Sequence, residues 1–333
     1  MRRISTVLAV LAVCAAAACG GASSGSGATG GSSSAALTPI TVGTIPIIDV
    51  APIYLGKEKG FFAEEGLDLT LKTASGGAEI IPAVMAGQDQ FGFSNVTSLL
   101  IANSRGLPVK VVAPGNFSTG VEGKDFGGVV APNDSSIENA ADLEGKTVAV
   151  NNLNNIGQTS VNAAVRKAGG DPSKVKYVEL AFPDMPAALA NHRVDAAFVV
   201  EPFLTITKSQ GNKVIAWCFV DTAPKLMIAA YFTSEQYATQ NPQVVQGFTA
   251  AIEKSLAYAA DHPDEARQML LTYTKITPDV VAKVTLPTWS TTISRESVQT
   301  LADLSLQDGV VTKAPDLSTL LPAGSGTATT ATP

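Results

Sequence analysis

Four asparagines fall within five positions at Asn151-Asn152-Leu153-Asn154-Asn155, between an apolar stretch ending at Val150 and a helical pattern that starts at Ile156. A carboxamide carries both donors and acceptors, so such a run suits a solute with amide, carbonyl or heteroaromatic groups. It equally suits a turn closed by an asparagine cap, and the residue types alone admit both roles. Other polar residues hold comparable places after apolar stretches: Asp49, then Ser75-Gly76-Gly77, then Ser94-Asn95-Val96-Thr97. Each comes just before a helical pattern, where unpaired backbone N–H groups and the positive end of the helix dipole favour an acceptor or an anion. Ordinary caps and turns draw on the same residues.

Chemistry beyond binding has little support in the residues. The two histidines are His192, in the turn-like Asn191-His192-Arg193, and His262, before Pro263 at a helix end. No Cys, His and carboxylate cluster has the spacing of a metal site, and no nucleophile has a base beside it, so neither a metal, a cofactor nor an enzymatic reaction is expected. Two motif matches are accidental. Gly25-Ser26-Gly27-Ala28-Thr29-Gly30 fits G-x-G-x-x-G and Gly21-Ala22-Ser23-Ser24-Gly25 fits G-x-S-x-G, yet neither follows a strand or opens a helix. The formal charge is -6 with no basic run, which argues against nucleic acid and against direct adhesion to anionic lipid.

The elements that must carry these polar residues alternate between strand and helix. Strands are predicted at 40–45, 67–71, 90–93 and 109–113, with helices at 78–86 and 96–104; Pro52 suits the first turn of a helix that Gly60 stops. A second unit starts near Gly127-Gly128, with strands at 146–150, 175–180 and 194–200 and helices at 156–168 and 186–190. One more strand, 226–232, precedes helices at 242–261, 263–273, 278–284 and 295–308. This is an α/β chain with mostly parallel sheets, in which ligands sit at the carboxyl ends of strands. Roughly 285 residues of folded material, at 37–321, are natural for two lobes. The expected division is 37–127 with 225–321 as lobe 1, an inserted lobe 2 at 128–224, and a disordered tail at 322–333.

The N-terminus follows other rules. Arg2-Arg3, an apolar run to Ala18 and small residues at the cut site describe an export signal at 1–18, shorter than the roughly 20 apolar residues of a membrane span. Cys19, after Ala17-Ala18 and before Gly20, resembles the cysteine of a bacterial lipobox, with Ala16 in place of the usual leucine; Cys14 is the rival, after the bulky Val13. The Gly/Ser segment that follows, to Ala36, behaves as a flexible tether. Loss of Arg2 and Arg3 with the signal takes the formal charge from -6 to about -8. The expected location is the outer face of the cell membrane, through a lipid on Cys19. Cys218, in Ile215-Ala216-Trp217-Cys218-Phe219, is expected in the core rather than in a disulfide.

Several segments together carry a family likeness. Ala51-Pro52-Ile53-Tyr54-Leu55-Gly56-Lys57-Glu58-Lys59-Gly60-Phe61-Phe62, followed by Glu65-Gly66-Leu67-Asp68, resembles the opening signature of solute-binding proteins of the nitrate, sulfonate and taurine type, relatives of the thiamine-pyrimidine binding proteins. Further segments match in order: Ala83-Val84-Met85-Ala86-Gly87 before Asp89-Gln90-Phe91-Gly92, then Gly106-Leu107-Pro108-Val109, Asp142-Leu143-Glu144-Gly145-Lys146, Asp195-Ala196-Ala197-Phe198-Val199-Val200-Glu201-Pro202-Phe203 and Asn241-Pro242.

The resemblance implies a type II periplasmic-binding-protein fold: two lobes, a hinge, and a central cleft that closes on a small solute. It implies a monomer that delivers this solute to an ABC permease and its ATPase. The family layout and the strand-end rule together put Asp49, Ser75, Gly76, Gly77, Ser94, Asn95 and Val96 on one wall of the cleft and Asn151, Asn152 and Asn155 on the other. Asp184 and Glu201 fall where the family places cleft loops, Glu201 as a contact or as a hinge hydrogen-bonding residue. Trp289 is either a stacking platform or a core residue between helices. With Asp49, Asp184 and Glu201 in these loops and no Arg or Lys, a multiply charged anion is a poor match; a sulfonate-like monoanion and a neutral or weakly basic heterocycle stay open. Some relatives make the thiamine pyrimidine with a Cys-rich segment that this chain lacks, and a surface-binding or signalling lipoprotein is a third alternative.

Overall fold

The computed structural model describes residues 36–325. The signal at 1–18, Cys19, the tether as far as 35 and the tail beyond 325 lie outside the described residues. In chain order the strands are β1 (Thr38–Thr44), β2 (Leu67–Thr73), β3 (Phe91–Asn95), β4 (Val109–Phe117), β5 (Gly127–Pro132), β6 (Thr147–Val150), β7 (Lys176–Glu179), β8 (Ala196–Val200), β9 (Asn212–Ala216) and β10 (Met227–Ser234). They build two five-stranded sheets, in the orders β2-β1-β3-β10-β4 and β7-β6-β8-β5-β9. Among the described residues no helix is long and apolar enough to cross a membrane.

Parallel pairing holds β1 to β2 and β3 in the first sheet, and β6 to β7 and β8 in the second. Parallel neighbours need crossovers, supplied by the helices Ala51–Glu58, Gly77–Met85 and Ile156–Lys167 among others. Every residue of β3 and of β8 is buried, as expected for strands covered on both faces. The expectation of mostly parallel sheets needs one correction, because each sheet takes an antiparallel strand in its fourth place: β10 between β3 and β4, and β5 between β8 and β9. Neither β5 nor β9 is marked by a strong pattern. A Cβ on Gly128 would stand 2.9 Å from the Ala216 carbonyl oxygen, so β5 needs a glycine at the place where glycine ordinarily suggests a break.

The chain crosses between the sheets twice, from Phe117 to Gly127 and from Ala216 to Met227. Ser118 N–H donates to the Leu226 carbonyl at 2.8 Å, tying one crossing to the other. The buried Asp125 organises the first: its carboxylate accepts from Ser118 Oγ (2.6 Å), Thr119 N (3.0 Å) and Phe126 N (3.0 Å). Burial still pushes its acidity below that of an ordinary aspartate. A third segment reaches the same place, since Thr288 and Phe117 exchange backbone hydrogen bonds of 2.8 and 3.0 Å.

Helix Pro242–Asp261 closes the first sheet. Its buried Phe248, Ile252 and Leu256 recur every four residues, and Phe248 stacks on Phe91 of β3 at 3.8 Å. Each such side chain contributes roughly 1.5–3 kcal/mol by leaving water. Cys218 is fully buried among the core residues of the second sheet.

Candidate functional site

The ends of β1 and β3 face the ends of β6 and β8, and a cavity of about 30 Å³ lies between them. Its walls are mostly apolar: Ile45, Ile47, Phe93 and Ile228 come from the first lobe, and Ile156, Phe182, Phe198, Val200 and Phe219 from the second. Among the described residues Asp49, Asn95 and Asn151 are the polar side chains on its surface, and no Lys, Arg, His or Cys lines it. An outer recess of about 300 Å³ shares Ile45, Ile47 and Phe182 with the cavity and adds Ser75, Glu79 and Pro183. Phe182, with the two isoleucines, therefore stands between the inner space and the outside. A broader groove of about 760 Å³ on the flank of the first sheet, between Lys110, Glu253 and Ala323, touches none of these strand ends.

Asp49 sits in a single turn, Ile48–Val50, directly after β1. It is 2 % exposed, and its Oδ1 accepts a 2.9 Å hydrogen bond from Asn116 Nδ2. Its Oδ2 has no partner. Burial pushes its pKa up to about 7, against the pull of the hydrogen bonds from its own backbone and from Asn116; the charge of Asp125 raises it further. A carboxyl so placed titrates near neutrality, in a space walled by hydrocarbon.

The remaining predicted residues divide between the cavity and its frame. Asn95 lines the cavity, yet its Oδ1 accepts from Ser98 N (2.9 Å) and, across the lobes, from Ile156 N (3.4 Å), so it caps one helix while touching the start of another. Asn151 donates across the cleft to the Ser75 carbonyl at 3.3 Å and accepts from Asn155 Nδ2 at 2.7 Å. Asn155 in turn accepts from Gln158 N as a helix cap. Asn152 is buried with its Oδ1 unpaired, packed so closely on Gly76 that no Cβ would fit there. Gly77 is held as tightly against Ser94 Oγ, and Val96 is the buried first residue of its helix.

Three predicted residues stand away from the cavity. Asp184 is exposed beside the recess-lining Pro183. Glu201, 1 % exposed, spends its carboxylate on Thr205 N (3.0 Å), Thr205 Oγ1 (2.8 Å) and Thr285 N (3.2 Å), while its carbonyl accepts from Ile48 N. Burial pushes its pKa up to about 7 against those bonds. Both placements make Glu201 a tie between β8 and the first lobe. Trp289 is buried outside the cavity wall, next to the Thr288–Phe117 pairing.

Sequence reasoning missed Asn116, because the strand expected to end at Ala113 runs on to Phe117. The register of β10 slips opposite Asn116 and Pro114, and such a bulge re-aims side chains beside a site. The Asn in Pro114-Gly115-Asn116 is the signal that a longer strand would have exposed. It also missed Phe93, Phe182, Phe198 and Phe219, which line the cavity only once two sheets meet.

Comparisons place this geometry among known proteins. A formylaminopyrimidine-binding protein of Halalkalibacterium halodurans is 26% identical over 225 residues, 66% of this chain and 65% of its own length. A 4-amino-5-hydroxymethyl-2-methylpyrimidine phosphate synthase of Legionella pneumophila is 22% identical over 223 residues, 66% of this chain and 68% of its own. The matches thus span about two thirds of these relatives. The solved ligand-binding component of an ABC-type import system from Staphylococcus aureus superposes with a TM-score of 0.74 at 16% identity, covering 86% of this chain and 96% of that one. The periplasmic aliphatic sulphonate binding protein of Escherichia coli gives 0.68 at 18%, covering 84% and 91%. The fold is that of the periplasmic binding proteins, two α/β lobes about a cleft. The family described as NMT1/THI5 like matches residues 47–266, well over half of the sequence, and this chain belongs to that family.

Proposed function

We propose that the chain is the extracytoplasmic solute-binding component of an ABC-type importer, closing its lobes on a small flat solute that bears no strong negative charge. The carrying observation is the cavity between the strand ends, with aromatic walls and, among the described residues, one buried carboxyl and no cationic side chain. A sulfonate-like monoanion would meet Asp49 with no counter-charge, whereas a neutral or weakly basic heterocycle meets it favourably. The formylaminopyrimidine-binding relative and the ABC-type import component support the same reading. In this scheme Cys19 is acylated, a permease and its ATPase receive the closed form, and the chain acts as a monomer.

A thermal-shift screen over heterocycles, sulfonates, nitrate and amines tests it. A solute that binds only the native form stabilises by about 2.7 kcal/mol at a hundredfold excess over Kd. Heterocycles are expected to raise the melting temperature; a response confined to sulfonates or nitrate would overturn the solute class. The anchor is tested separately, since Cys19→Ala should leave a folded protein that moves to the soluble fraction and takes up no lipid label.

The match to a pyrimidine phosphate synthase favours a second reading, an enzyme on the same fold. Among the described residues no Cys, His or Lys lines the cavity. Release of a phosphorylated pyrimidine by the purified chain, read by mass spectrometry, would decide for the enzyme.

A further inference from the structure

Helix Ile156–Lys167 begins at the cleft and ends against the other lobe. Its first residue, Ile156, lines the cavity and donates its N–H to Asn95 Oδ1 at 3.4 Å. Its last turn carries Arg166, which forms an ion pair with Asp308. At 1.5 Å per residue, roughly 15 Å of one rigid helix separates these two contacts. Asp308 is the cap residue at the C-terminal end of helix Arg295–Gln307, which packs on helix Val96–Ser104 of the first lobe.

A carboxylate at that end meets the negative pole of its own helix, and helix Arg295–Gln307 has no basic residue in its last turn. The Asp308 side chain is nevertheless 1% exposed. What offsets this comes from the second lobe: Arg166 pairs with Oδ1, and Asn162 Nδ2 donates to Oδ2 at 2.9 Å. Asn162 is buried and held in orientation, because Tyr177 Oη donates to its Oδ1 at 2.5 Å and leaves its amino side for the carboxylate. Tyr177 belongs to β7, so the donors are fixed from within the second sheet. The neighbouring Lys167 pairs with Asp221 of its own lobe at 2.8 Å and takes no part.

We propose that Arg166, Asn162 and Asp308 form a latch that favours the closed arrangement of the lobes without touching the solute, so that affinity is set partly outside the cleft. Parting the lobes takes the counter-charge from Asp308 and leaves its carboxylate in water beside a negative helix end. The difference favours the closed form before any solute arrives. Because helix Ile156–Lys167 joins the latch to the cavity wall, loosening one end frees the other. The latch goes beyond the solute-binding reading and requires only motion between the lobes.

The experiment uses the full chain without solute. Amide hydrogen exchange by NMR reads the Ile156 N–H, and solution scattering reads the separation of the lobes. Asp308→Asn keeps the shape and removes the charge. It should speed exchange at Ile156 by about three- to tenfold, the range of a partly shielded ion pair, and raise the radius of gyration. The amides of β8 should keep their wild-type protection, which shows an intact second sheet. Arg166→Glu should act in the same direction, and Arg166→Glu combined with Asp308→Lys should return both readings toward wild type. A contact that merely packs one helix on another would shift the melting temperature of Asp308→Asn and leave Ile156 exchange and the radius unmoved. That result overturns the latch, and so does a paired reversal that folds but restores neither reading; Asp308→Asn decides alone where a reversed variant does not fold. No solute enters either measurement, so failure of the latch leaves the solute-binding reading standing.

Discussion

Asp49 is a carboxyl where solvation cannot support its charge, and this has a consequence for stability. Its pKa rises from 3.8 to about 7 on folding, so the folded chain keeps a proton that the unfolded chain has already released. Stability from this group is full below the unfolded value and is lost as pH climbs through the folded one. At pH 8 the ionised group costs on the order of 4 kcal/mol at about 1.4 kcal/mol per unit. Asp49→Asn keeps the acceptor that Asn116 needs and removes the charge. It should raise the melting temperature by roughly 5 °C or more at pH 8 and hardly change it at pH 4, read by calorimetry. Glu201 behaves oppositely under truncation. Glu201→Ala strips the acceptor from Thr205 N, Thr205 Oγ1 and Thr285 N, and should destabilise the solute-free protein by about 2–4 kcal/mol in denaturant unfolding. An unchanged midpoint would mean that these bonds do not hold the lobes.

At the scale of elements, helix Ile156–Lys167 of the second lobe packs on helix Arg295–Gln307 of the first. The contact carries an ion pair between Arg166 and Asp308, and Asn162 Nδ2 donates to Asp308 Oδ2 at 2.9 Å. The Asp308 side chain is only 1% exposed, so the pair is shielded more than an ordinary surface bridge. If the chain opens and closes as proposed, separation of the two helices breaks this pair. Asp308→Asn should weaken solute binding about three- to tenfold, mainly through a faster off-rate in stopped-flow measurements. Most of these elements were legible beforehand. Pro242, Pro263 and Pro278 each open a helix where the proline predicted one, and Ile156–Lys167 ends just before Gly169-Gly170. Strands β5 and β9 were not legible, because their glycines and polar residues acquire a strand conformation only from neighbours distant in sequence.

For the whole molecule, the two crossings are short, bound to each other by Ser118 and Leu226, and anchored by Asp125. Motion confined to such a hinge moves the lobes as rigid bodies, and a solute shifts the balance only by its differential affinity for the closed form. Saturating solute should reduce the radius of gyration in solution scattering, with the mass of a monomer; superimposable profiles with and without solute would count against closure. The inner cavity of about 30 Å³ and the outer recess of about 300 Å³ meet at Phe182, so a ring must displace that side chain or part the lobes to enter.

Alternation of strand and helix and the stops at glycine and proline follow from neighbours within a few residues, and the sequence alone determined them. It also brought Asp49, Asn95 and Asn151 forward as residues at strand ends. It left open which of them are frame and which are site. Which of their polar atoms find a protein partner was decided by contacts between distant parts of the chain: Asn116 and Asp49 are 67 positions apart, and Ile156 and Asn95 are 61. Whether a polar atom is satisfied or left over depends on every neighbour that burial brings to it, and no local pattern records that sum. Only the tertiary structure showed that Asn95 is spent on two helices while one buried oxygen of Asp49 has no hydrogen-bond partner.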